Sequence, residues 1–179
     1  MLSKNFYYKE DDLLCDGIKI ENIAQKYSTP VFIYSELHIK ENLNRINKAI
    51  NGRPITVCYA VKANPALRIL KLAGAENLGF DVVSEGEMRR VLVSSPRPKK
   101  IVFSGVGKTD EEIRFALQNK IFSLNVESLP ELNRVNMVAN GLNIKAPVSI
   151  RINPDVNPDT HPYIATGLRE NKFGLSMED

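Results

Sequence analysis

From residue 55 onward the chain alternates between short apolar runs and longer stretches in which apolar residues return every three or four positions. The runs are ITVCYAVK, LGFDVVS, IVFSGVG, IFSLNVES and PVSIRINP. Each has the β-branched and aromatic weighting of a strand buried on both faces. The stretches between them predict amphipathic helices, because helix-start signals stand at their heads. Asn64-Pro65 opens ALRILKLAG, Ser84 precedes EGEMRRVLVSS, Thr109-Asp110 opens EEIRFALQN, and Glu127-Ser128 leads into LPELNRVNMVANG. With Val57, Phe80, Ile101, Ile121 and Val148 as markers, the strands recur every 20 to 27 residues. That spacing is the βα unit of a parallel sheet. The units do not resemble one another in sequence, so the period belongs to the architecture and not to a repeat.

Ahead of these units, residues 18–50 predict a short helix (IENIAQKY), a strand after Thr29-Pro30 (VFIY) and a longer helix (SELHIKENLNRINKAI) ending near Asn51-Gly52. Residues 1–30 are expected to form a lead-in segment and residues 31–179 an incomplete barrel. Five βα units fit either a doubly wound sheet or part of a (β/α)8 barrel. A dinucleotide-binding sheet needs a glycine-rich first turn, and the first turn here is Lys62-Ala63-Asn64-Pro65. A complete barrel usually takes about 250 residues. The final GLSMED has the form of a helix start, with Ser176 as N-cap, at the point where the sequence stops. The expectation is therefore an α/β fold, a partial (β/α)8 barrel of about five units whose outer strands would lack partners.

Composition narrows the class without naming a chemistry. The chain has 179 residues, 43% of them hydrophobic, enough for a real core. Lysine and arginine total 24 against 21 aspartate and glutamate, and the charges are interspersed. No basic stripe points to nucleic acid or an anionic membrane. No apolar run approaches the ~18 residues of a membrane span. Cys15 and Cys58 are isolated and lack metal-type spacing, so no metal is expected and a cytoplasmic setting is the default.

Lys62 stands out because a run that reads as a buried strand ends on it. In parallel βα folds, function gathers at the carboxyl ends of the strands. The neighbours Ala60, Val61 and Ala63 are small or apolar. A partly desolvated ammonium gives up its proton more readily, and a neutral amine can form a Schiff base with a carbonyl. Position alone equally suits a lysine reaching from a strand end into solvent.

The wider pattern resolves that choice by resemblance. YAVKAN, followed in order by GFDVVSEGEMRR, FSGVGKTDEEI, LNVESLPEL and RINPDVNPDTHPYIATGLRENKFGL, resembles the diaminopimelate decarboxylase family of alanine-racemase-like pyridoxal-phosphate decarboxylases, from about residue 18 to 176. The resemblance implies a pyridoxal 5'-phosphate-bearing (β/α)8 barrel joined to a β-domain and working as a homodimer, with decarboxylation of meso-diaminopimelate to L-lysine as the reaction. Lys62 occupies the position that carries the cofactor as a Schiff base. The resemblance also implies that the phosphate loops, the acidic partner of the ring nitrogen, a ring-stacking histidine and the β-domain lie beyond residue 179. On that expectation the 179 residues alone are inactive. A related decarboxylase acting on another basic or polyamine-like substrate is the alternative within the class.

Other polar residues are weighed beside Lys62. Asp81 and Arg151 fall in predicted strands, where charges are costly unless paired, so a mutual ion pair beneath the cofactor is expected, with a purely structural pair as the alternative. Ser84 opens a helix with Glu85 where the family more often has glycine, and two acidic residues there favour helix capping over phosphate binding. Residues 153–171 form a long polar loop, implied by the resemblance to be a lid beside the substrate, with His161 and Tyr163 as its notable side chains. His38 lies in a polar helix and Cys58 reads as a small core residue. Finally, Gly107-Lys108-Thr109 has the ending of a phosphate-binding loop, although Val102 stands where that pattern needs glycine. A nucleotide-binding module is thus the reading from a different class.

Overall fold

In the computed structural model, residues 4–154 and 174–176 are described. The chain divides into two compact units, Met1–Ile55 and Thr56–Asp179. This division falls after the long helix of the N-terminal region, whereas the sequence pattern places a boundary at residue 30.

The first unit begins with an antiparallel three-stranded meander, β1 (Phe6–Lys9), β2 (Asp12–Cys15) and β3 (Ile18–Lys19). The β2–β3 turn is Asp16-Gly17, with φ of 50° and 82°, and Cys15 faces Ile18 across it. Both central residues have positive φ, the backbone a two-residue hairpin requires and Asp-Gly supplies. Helix α1 (Ile20–Tyr27) and helix α2 (Glu36–Ile50) follow. Ser35 caps α2 by accepting from the His38 amide at 2.9 Å, and its hydroxyl donates to Asp16 at 2.7 Å. The VFIY run forms no strand. It has no ladder partner among the described residues, and Phe32 is 88% exposed.

The second unit is a five-stranded parallel sheet: β4 (Cys58–Ala60), β5 (Gly79–Val82), β6 (Ile101–Phe103), β7 (Ser123–Val126) and β8 (Val148–Ile150). Each strand pairs with the next in sequence. A doubly wound sheet reverses strand order at a switch point, and no reversal occurs here. The connecting helices are α3 (Leu67–Ala75), α4 (Glu85–Ser94), α5 (Asp110–Gln118) and α6 (Leu129–Gly141), each packed on the next. Sequential order with right-handed crossovers puts all four helices on one side.

That one-sided cover determines where each residue of a strand can point. Phe80, Val82, Ile101, Phe103, Leu124 and Val126 are fully buried against the helices. The intervening positions face the other way and are only half-buried at Asp81, Val102 and Asn125. The expected strands are therefore present, but the middle three bury one face fully and leave the other open. At β8 all three residues are exposed.

Gly79 sets how closely β4 and the start of β6 approach β5. A Cβ there would lie 2.7 Å from the Lys100 carbonyl oxygen and 2.7 Å from Cys58 Sγ. Gly79→Ala should destabilise the intact protein by about 1–3 kcal/mol, the usual penalty of overpacking. Trimming Cys58 to alanine should not rescue it, because the Lys100 contact is backbone. Denaturant midpoints of the single and double variants check this.

Candidate active site

The carboxyl ends of the five strands border a cleft of about 620 Å³. Lys62 reaches its wall from a 3₁₀ turn, Val61–Ala63, directly after β4. Val61 is fully buried and anchors that turn, while Lys62 is exposed. The partly desolvated amine expected from its neighbours is not what forms. β4 ends the sheet among the described residues, so solvent reaches its open face. Lys62 makes no hydrogen bond or ion pair among the described residues.

Next to it the sheet supplies a polar row. Asp81 projects from β5 and accepts a short hydrogen bond from the Ser104 hydroxyl, just beyond β6. Ser104 in turn accepts from the Asn125 side-chain amide on β7 at 2.9 Å. One layer deeper, Ser123 and Ser149 share a hydrogen bond of 2.8 Å between β7 and β8. The row exists because the same side of the pleat is uncovered on three neighbouring strands.

The expected ion pair between Asp81 and Arg151 does not form. Arg151, just after β8, instead places Nη1 3.1 Å from both carboxylate oxygens of Glu127, which follows β7. Strand order is the reason: β8 adjoins β7, while two strands separate it from β5. Glu127 is 3% exposed at its side chain, so the guanidinium neutralises a buried carboxylate. In the sequence Glu127 reads as part of a helix start. Its position just past a strand end is the signal for a place in the cleft.

The phosphate-loop reading fails on Lys108. Its ammonium is buried and donates to the Gly105 carbonyl at 2.6 Å, the Asn125 carbonyl at 2.8 Å and Glu131 Oε1 at 2.7 Å. Three donors meet three acceptors, which leaves none for a phosphate.

Helix N-termini offer a second place for an anion, and side chains close them. Ser84 accepts from the Glu87 amide at 3.2 Å, which bears out capping there. Glu87 also takes the Val83 amide, and Glu112 takes the Glu85 amide. Thr109 and Glu112 form a capping box on α5, and Ser128 caps α6. Hydroxyls at the N-caps of α4, α5 and α6 thus each take one first-turn amide, and Glu112 of α5 takes the Glu85 amide of α4. His161 and Tyr163 lie outside the described residues.

A cofactor with an aldehyde and a phosphate fits one end of this site. Lys62 offers an amine unengaged among the described residues, beside a cleft of small-molecule size. The phosphate would need donors other than the helix ends described.

Five consecutive parallel strands joined by four helices, with a lysine just past the end of the first, define a barrel wall, and residues 36–179 match the family described as pyridoxal-dependent decarboxylase, pyridoxal binding domain. The chain belongs to that family, and its second unit is part of a (β/α)8 barrel. Several of the proteins it is similar to are named diaminopimelate decarboxylase. It is 48% identical to a diaminopimelate decarboxylase of Vibrio cholerae over 97% of this chain and 42% of the relative. Among solved structures, diaminopimelate decarboxylase from Helicobacter pylori complexed with L-lysine is 47% identical with a TM-score of 0.83, covering 87% of this chain and 40% of that one. The same enzyme from M. jannaschii in co-complex with L-lysine is 41% identical with a TM-score of 0.88, covering 98% of this chain and 42% of that one. The chain thus spans about two-fifths of the length of these relatives. No helix among the described residues is long and apolar enough to cross a membrane.

Cys58 reports on the charge of Asp81. Burial and the Asp81 carboxylate push its thiol above the ordinary range, and Lys100 opposes them. A raised thiol stays protonated to higher pH, so alkylation by iodoacetamide should begin at higher pH than for an exposed cysteine. Asp81→Asn removes one raising cause and should move the rate–pH curve to lower pH. An unmoved curve would show that the carboxylate does not act on the thiol.

Proposed function

We propose that this chain is the cofactor-anchoring part of a pyridoxal 5'-phosphate-dependent decarboxylase that converts meso-diaminopimelate to L-lysine and carbon dioxide. The observation that carries the reading is Lys62, exposed and without a hydrogen bond or ion pair among the described residues, at the end of the first strand of a barrel wall. Lysine names the product, and L-lysine is the ligand named for two of the similar solved structures.

Lys62 would hold the cofactor through its ε-amine. When bound, pyridoxal phosphate supplies the electron sink that lets a carboxylate leave an amino acid as carbon dioxide. The chain's own residues prepare the place for this. Asp81 fixes the Ser104 hydroxyl, Ser104 fixes the Asn125 amide, and the three present a rigid polar wall beside Lys62. Arg151, neutralised by Glu127, holds positive charge at the far side of the cleft without leaving a buried carboxylate unpaired. Turnover consumes one proton, which replaces the departing carboxylate at Cα. Residues beyond these 179 are proposed to supply the phosphate donors, and the enzyme is proposed to be a cytoplasmic homodimer.

Borohydride reduction of the intact protein with pyridoxal phosphate, followed by peptide mapping, should place the adduct on Lys62 ahead of every other lysine. Lys62→Ala should lose lysine formation from meso-diaminopimelate to background. Labelling scattered over surface lysines, with activity retained in Lys62→Ala, would overturn the assignment. Offering arginine, ornithine and meso-diaminopimelate in parallel separates this substrate from other basic amino acids. The 179 residues expressed alone should give no turnover.

A further inference from the structure

Lys108 has only 2% of its side chain exposed, and its three acceptors belong to three different elements, two of which line the cleft. Gly105 lies in the turn after β6, Asn125 in β7, and Glu131 in the first turn of α6. Two polar arms leave from these acceptors. On one, the Asn125 side chain continues through Ser104 to Asp81. On the other, Glu131 Oε2 accepts the Glu127 amide at 2.8 Å, and the Glu127 carboxylate holds Arg151. A single buried ammonium therefore sits at the root of both arms that line the cleft.

Filling space does not require this arrangement. An apolar side chain would bury at position 108 without three charge-assisted hydrogen bonds, and the Phe103 ring 5.4 Å from Nζ would tolerate it. What only an ammonium can do here is bind two backbone carbonyls and a carboxylate at once. We propose that Lys108 is a positioning residue: it fixes the ends of β6 and β7 to α6 and so places Asn125 and Arg151 in the cleft. Its consequence for turnover rests on the decarboxylase reading, whereas its effect on the arms does not.

The test uses the intact protein and two variants. Lys108→Met alone leaves Glu131 buried and unpaired and is open to failing to fold. Lys108→Met with Glu131→Gln removes both charges yet keeps an oxygen for the Glu127 amide. Amide hydrogen exchange on the double variant is the first readout. Exchange should quicken by about ten- to a hundredfold at residues 125–131 and 149–151, the scale of losing a hydrogen bond to a charged group, with α3 and β5 unchanged. The second readout is kinetic: kcat should fall by about 10²-fold, the scale of an ångström-sized misplacement, with a smaller change in KM. Unchanged exchange overturns the proposal, and so does uniform quickening, which would mean that Lys108 only stabilises the fold. A kcat within about twofold of the parent overturns the catalytic consequence. Localised quickening in a protein whose parent does not decarboxylate would keep the positioning role and reject the decarboxylase reading.

Discussion

The site depends on a parallel sheet covered by helices on one side only. Side chains alternate across a pleat, so once Phe80, Val82, Ile101, Phe103, Leu124 and Val126 are committed to the helices, the residues between them have no choice of face. Asp81 and Asn125 follow from that commitment, and Ser104 continues the alternation one residue past β6. Moving any of these strands by one residue would place a carboxylate or amide among the helices and an apolar ring in the cleft. The core and the polar wall are two consequences of one register.

The same geometry explains why the helix ends are closed to anions. Each helix starts just beyond a strand end, so its first amides point toward the cleft, where a phosphate would be attracted. Ser84, Thr109 and Ser128 each take one of those amides, and Glu87, Glu112 and Glu131 bring negative charge to the same places. Three acidic first turns repel a phosphate as well as occupying its donors. The wall therefore presents the exposed Lys62 side chain beside a polar floor, with one amide of each of these three helices met by its own N-cap side chain.

The fold was legible where its causes are local. Strand runs recur at βα spacing, and caps such as Ser84 and Thr109 need only the three residues that follow them. Lys62 was legible because a strand end is a position that sequence can mark. Pairing was not legible, since Arg151 chooses Glu127 over Asp81 through strand adjacency, which no spacing records. One-sided burial was equally hidden, because Val-rich runs such as GFDVVS read as apolar throughout when a single aspartate is the only mark of the open face. The short meander at residues 6–19 carries a weaker signal, because its strands of mixed polarity lack the apolar weighting of the others and only Asp16-Gly17 announces its turn.

Two lysines in this chain sharpen the point. Lys62 and Lys108 both follow a parallel strand and both have small neighbours, Lys62 two residues past β4 and Lys108 five residues past β6. What separates them is the supply of acceptors. The turn after β6 folds its Gly105 carbonyl back toward β7, and α6 brings Glu131 to the same spot, so Lys108 is drawn in and saturated. The turn after β4 buries Val61 and turns Lys62 outward at the end of the sheet. An ammonium with three acceptors has no donor left for a ligand, whereas one without such partners is open to engage one. The lysine that the fold leaves unengaged among its described residues is the one proposed to carry the chemistry, and the one that it surrounds is the one proposed to position the cleft.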